Sequence, residues 1–83
     1  MPKALFENLR TSERVLKLLK STEEYGGPQS TRDVEKNLRM NNNNARSILS
    51  KMSKRGEIDR IKPAVYRAKG DDRDYDPYKQ HYK

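Results

Sequence analysis

Core-forming side chains are scarce in this sequence, and none stands near its end. Leu, Ile, Val and Phe number 14 of 83 residues, with none in residues 70–83. Small chains bury a smaller fraction of their surface than large ones. This supply supports a single small core, with no room for a second core or for a cleft between domains. Combined with a net charge of +7, it lies in the range where chains begin to stay disordered. The spacing of those few residues therefore decides whether the chain folds.

The spacing is helical in three places. In residues 11–25, Val15, Leu16, Leu18 and Leu19 form a stripe, with Lys17 and Lys20 facing outward. Thr11 or Ser12 can cap this helix, Glu13 suits the positive end of its dipole, and Gly26-Gly27-Pro28 is expected to stop it. Residues 30–38 predict a second, short helix in which Val34 and Leu38 share a face, with Ser30 and Asp33 at the spacing of a capping box. Residues 37–41 then turn. The third helix spans residues 42–54, with Ala45, Ile48, Leu49 and Met52 on one face and Arg46, Ser47, Ser50 and Lys51 on others. Arg55-Gly56 ends it, a cation in the last turn and then a glycine suited to the C′ position.

After Gly56 the period shortens. Residues 57–61 and 65–68 predict a β-hairpin around a tight turn at Lys62-Pro63-Ala64. The expected fold class is α+β, mostly α, over a domain of residues 11–69. Ahead of it, in segment 1–10, Leu5, Phe6 and Leu9 would share a helical face, which makes them the candidate homodimer element. Behind it, the charged tail 70–83 lacks periodicity and is expected to be flexible. Its Tyr75, Tyr78 and Tyr82 sit among Asp and Lys, as in a solvated tail or one that stacks on bases.

Charge is unevenly placed. Residues 36–69 carry ten Lys or Arg against Glu57 and Asp59, whereas residues 70–83 carry four Asp against Arg73, Lys79 and Lys83. A basic half of this kind suits an anionic partner, nucleic acid first. The chain has no cysteine, which removes disulfides, thiolate metal sites and thiol catalysis. No apolar run is long enough to span a membrane, and the first residues hold no stretch suited to a secretory signal. A soluble, intracellular (cytoplasmic) protein is expected.

Three helices and a hairpin, with a short turn between the second and third helices, resemble the winged helix-turn-helix DNA-binding family. In Leu38-Arg39-Met40-Asn41 and the residues after it, Ala45, Leu49, Met52, Gly56 and Ile58 match the family pattern in spacing and type. Val65-Tyr66-Arg67 resembles the returning wing strand. The resemblance covers residues 11–69. It implies a winged helix with double-stranded DNA as partner, the third helix in the major groove and the hairpin on the backbone. The hairpin is shorter than the family's usual wing, so Arg60, Lys62 and Arg67 would stay near the backbone. The subfamily that reads left-handed DNA places Asn and Tyr where this chain has Arg46 and Ser50, and a Trp in a wing that here has none; that reading is set aside.

The run Asn41 to Asn44 falls at the front of the third helix. Asn41 or Asn42 can cap it, and Asn42, Asn43 and Asn44 are candidates for the DNA face, since Asn pairs with adenine through N6 and N7. Arg46 suits guanine or a phosphate, and Ser47, Ser50 and Lys51 continue the exposed side. Thr31 and Arg32 open the second helix, whose amides can hold a phosphate. Lys54 and Arg55 suit the negative end of the third helix. An enzyme is not expected. The single His81 lies in the tail, no carboxylate pair shares a face with it, and no phosphate-cradling loop or metal-ligand spacing is present. No cofactor or small-molecule ligand is implied. The leading reading is a small sequence-specific transcriptional regulator acting by site occupancy. The alternatives are a low-specificity replication, partition or DNA-coating factor, and a winged-helix protein-interaction adaptor.

Overall fold

The computed structural model describes residues 5–82. Three helices pack against a three-stranded antiparallel sheet in the order α1 (Thr11–Lys20), β1 (Gln29–Ser30), α2 (Thr31–Leu38), α3 (Asn42–Lys54), β2 (Ile58–Lys62) and β3 (Val65–Ala68). β3 is the central strand, with β1 and β2 on either side. The core joins Val15, Leu18 and Leu19 of α1, Val34 and Leu38 of α2, and Ala45, Leu49 and Met52 of α3 to Ile58 and Ala68 of the sheet.

Local chemistry sets the ends of α2 and α3. Ser30 Oγ accepts from the Asp33 amide, and the Asp33 carboxylate accepts from the Ser30 amide, a complete capping box. Three residues separate α2 from α3, and Arg39 turns the corner in the left-handed region at φ +54°. Asn41 Oδ1 accepts from the Asn44 amide at 2.8 Å and caps α3. At the other end, Gly56 takes φ +79° while the amides of Gly56 and Glu57 bond the carbonyls of Ser53 and Met52. This Schellman closure requires a left-handed residue after the helix, which glycine supplies without a Cβ penalty.

Four features depart from what the sequence suggests. The first concerns α1, which ends at Lys20 rather than at residue 25, and whose N-cap is Arg10 with no side-chain bond from Thr11 or Ser12. Ser21 leaves the helix because its hydroxyl accepts from the Glu23 amide, a local alternative to the helical ladder. Gly26 returns against it so closely that a Cβ there would stand 2.3 Å from the Ser21 carbonyl oxygen. The glycines thus close a loop rather than stop a helix.

The second concerns the beginning of the chain. Residues 5–9 make turns, with Phe6 at φ +56°, so Leu5, Phe6 and Leu9 share no helical face. Leu5 is buried in the core of its own chain. Arg14 holds the segment in place by donating to the Leu5 carbonyl, and its other arm donates to the Leu38 carbonyl at the end of α2. The expectations for residues 1–4 lie outside the described residues.

The third is β1, which the sequence did not suggest. It pairs Gln29 with Tyr66 and Ser30 with Val65. A two-residue strand is too short to show a period, and Gln29 is held by polar contacts: its Nε2 donates to the carbonyls of Tyr25 and Gly27, and its Oε1 accepts from Asn37 Nδ2. Both amides are fully buried.

The fourth is the tail. Residues 71–82 contain no helix or strand, but they lie against the domain as a strap. Arg73 donates to the Leu19 and Ser21 carbonyls at the end of α1. Lys79 donates to the Pro28 carbonyl, His81 Nε2 stands 3.5 Å from the Asp33 carboxylate, and the Tyr82 amide donates to Asn37 Oδ1. The Tyr82 ring meets Tyr25 edge-on at 5.4 Å. These anchors are side chains on backbone carbonyls and amides, which leave no trace in a hydrophobic pattern.

Candidate nucleic-acid interface

α3 turns its apolar face to the core, and its remaining side chains to solvent. The asparagine run divides in two. Asn41 is the cap, and Asn42 Nδ2 donates to Glu35 Oε2 at 3.1 Å, so these two serve the turn. Asn43, Asn44, Arg46 and Ser47 are exposed, and their side chains have no partner among the described residues.

A groove of about 530 Å³ runs between α3 and the hairpin. Its walls are Asn43, Arg46, Ser47 and Ser50 from α3, Thr31 at the start of α2, and Arg60, Ala64 and Tyr66 from the hairpin. The Thr31 amide donates to the Ala64 carbonyl at 2.9 Å, fixing the hairpin turn against α2. On the other flank of α3 lies a second groove, where Asn44, Ser47 and Lys51 face Thr11, Arg14 and Arg39. Ser47 borders both and so marks the crest of the helix. Neither groove is lined by a carboxylate among the described residues. A convex helix between two cationic troughs is a shape that a polyanion fits, and the low density of negative charge removes the main source of repulsion. A third, smaller hollow collects Arg32 and Asn42 beside Thr31, Glu35 and Arg46. Its Glu35 makes it less suited to an anion.

Two of the candidate residues lie elsewhere. In the ladder Ile58 faces Ala68, Asp59 faces Arg67, and Arg60 faces Tyr66, but Lys62 faces Val65, so Ile61 is an extra residue in β2. Side chains alternate between faces along a strand. Arg60 and Tyr66 therefore share the helix side with Ile58 and Ala68, whereas Lys62, Val65 and Arg67 point away from the helices. That outer face is where the strap runs. Arg67 Nη1 donates to the Arg73 carbonyl, its Nε is buried without a partner among the described residues, and Lys62 Nζ stands 5.6 Å from the centroid of the Tyr75 ring. Val65, between these two on the same face, is only 5% exposed although it lies outside the core cluster.

The sequence reading passed over Arg14, Arg39 and Tyr66 as wall residues. Arg39 was legible as a cation in the turn before α3. Arg14 and Tyr66 carry no such signal, because helix packing brings the first to α3 and strand pairing brings the second to the groove. The described residues hold no group of three or more His, Cys, Asp or Glu placed to bind a metal ion, and no helix long and apolar enough to cross a membrane. No family model matches the chain, and neither a curated protein nor a solved structure is significantly similar to it.

Proposed function

We propose that this chain is a winged-helix protein that binds double-stranded DNA in a sequence-specific way, and that it acts as a small regulator by occupying its site. In this reading α2 and α3 form the helix-turn-helix and the β2–β3 hairpin is the wing. The crest of α3 enters the major groove, where Asn43 and Asn44 meet adenine edges and Arg46 meets guanine or phosphate. Thr31, Ser50 and Arg60, set back in the groove beside the crest, take the sugar-phosphate strand that borders it, with Lys51 on the opposite strand's side.

The observation that carries this reading is a set of polar side chains on one exposed helix face that have no partner among the described residues, between two cationic grooves that no described carboxylate lines. A helix face without a ligand keeps its amides in water at no cost, so exposure alone would be unremarkable. The convergence of three separate elements on one side of that face, tied by the Thr31–Ala64 bond, is what favours a strand of nucleic acid.

Selection from a random duplex library at physiological salt tests it. An enriched motif that includes adenine supports a sequence reader, and an inverted repeat with half-sites about one helical turn apart supports a dimer on DNA. A bound pool that stays random replaces the regulator with a DNA-coating role. Affinity that vanishes at moderate salt, with no preferred site, points to a protein-interaction adaptor instead.

A further inference from the structure

We infer that Asn43 and Asn44 address opposite strands of the duplex, so that the centre of the bound site is an AT or TA step, with adenines on opposite strands of neighbouring base pairs. The inference rests on the DNA-binding reading above and adds to it which strand each asparagine meets.

The two side chains are neighbours in sequence but not in surroundings. Asn43 lines the groove shared with Thr31 and Arg60, and Asn44 lines the groove shared with Arg39 and Lys51. Neither borders the other's groove. Successive residues of an α-helix stand about 100° apart around its axis, and the crest residue Ser47, which borders both grooves, falls between them. The division continues along the helix. Ser50 follows Asn43, and Lys51 follows Asn44, each after two turns and each in the same groove as its predecessor. Two turns rise about 10 Å, so the grooves run beside α3 and do not merely meet it at its tip.

A helix seated in the major groove has the backbone of one strand along one flank and that of the other strand along the opposite flank. Here each flank carries its own cation and its own asparagine: Arg60 with Asn43, Lys51 with Asn44. An asparagine amide matches N6 and N7 of adenine, on the strand its flank faces. Adjacent Cα atoms are about 3.8 Å apart, and successive base pairs are separated by about 3.4 Å, so the two amides reach neighbouring pairs. An AT or TA step presents one adenine to each flank. An AA step puts both adenines on one strand and satisfies only one of the two asparagines.

The test is selection from a random duplex library with wild type, Asn43→Ala and Asn44→Ala. Both side chains are exposed and the Asn41 cap is kept in both variants, so the fold is expected to survive. Wild type should enrich an AT or TA step, and each variant should lose adenine on one strand only, a different strand for each. The enriched wild-type duplex is then prepared with 7-deazaadenine, which lacks N7, in one strand of that step at a time. Each replacement should weaken wild type by about 3- to 10-fold, the worth of one hydrogen bond. Asn43→Ala should be insensitive to the replacement in one strand, and Asn44→Ala to that in the other. A motif without adenine on both strands, or two variants insensitive to the same strand, overturns the inference and leaves the DNA reading standing. A pool that stays random, or no binding at all, overturns both.

Discussion

The Arg73 guanidinium lies over Gly27 so closely that a Cβ on the glycine would stand 3.3 Å from its Nη1. From that position it closes the C-terminal end of α1 from 54 residues further along the chain. Gly27 also takes φ +88°, a region that side chains disfavour by roughly 1–2 kcal/mol. Gly27→Ala is expected to destabilise the fold by about 1 kcal/mol after allowance for the stiffer unfolded chain. Arg73→Ala should cost about 1–2 kcal/mol, toward the low end because the side chain is 39% exposed. Since both disturb one contact, urea titration of the double variant should show less than the sum of the two losses; strict additivity would mean that the contact does not exist in solution.

The four asparagines should separate into two pairs. Asn41→Ala removes the α3 cap and should lower stability by about 0.5–2 kcal/mol. Asn43→Ala, Asn44→Ala and Arg46→Ala should leave the melting temperature near wild type. In return, each is expected to weaken a selected DNA site by about 1–3 kcal/mol and relax preference at one base pair. Asn42→Ala, whose amide is bonded to Glu35, should change site preference little. Full DNA affinity in Asn43→Ala, Asn44→Ala and Arg46→Ala alike would remove α3 as the reader.

The hairpin turn carries a strain that is open to repair. Ala64 follows Pro63 at φ +62°, the geometry of a type II turn, where glycine is preferred. Ala64→Gly relieves a left-handed cost of roughly 1–2 kcal/mol and adds about 0.4–1 kcal/mol of unfolded-state entropy. The net expectation is a gain of up to about 1 kcal/mol, read as a higher melting temperature. A loss would show that the Ala64 methyl packs usefully against the groove wall.

Lys79 gives the strap a dependence on alkaline pH. Burial pushes its ammonium down from the ordinary 10.5 to about 8, against the opposing pull of Asp33. Between those values the unfolded chain holds a proton that the folded chain has released, so stability from this group rises with pH across the window. Below it the full penalty of a charged, half-buried lysine applies. Wild type should therefore gain stability relative to Lys79→Met as pH is raised from about 8 to 10.5. Parallel profiles for the two proteins would mean that the side chain is solvated in solution.

Much of the scaffold was legible because its signals are local. Ser30 and Asp33, Asn41, and Arg55-Gly56 each fix an end by contacts within a few residues, and the apolar stripes of α2 and α3 needed only their spacing. The candidate site was legible where it rides on α3. What escaped is held by contacts distant in sequence. β1 exists because Gln29 and Asn37 satisfy each other underneath it. The strap exists because Arg73, Lys79 and the Tyr82 amide find carbonyls and an amide on other elements. Leu5 appeared free for a partner because nothing in its neighbourhood shows that Arg14 folds the chain back over the core. Lys62 and Arg67 were assigned to the DNA side by their place in a hairpin, but strand parity decides which face they occupy.

The extra residue in β2 decides how the hairpin's cations are shared out. Counted by simple alternation, Lys62 would stand on the same side as Ile58 and Arg60. Ile61 interrupts the count, so Arg60 looks into the groove beside α3 while Lys62 looks out to Tyr75. A strand of the same length in unbroken register would turn both cations toward α3 and leave the strap without its hold on the hairpin. The register of this strand, more than the identity of any residue in it, sets the balance between what the protein offers to a ligand and what it keeps for itself.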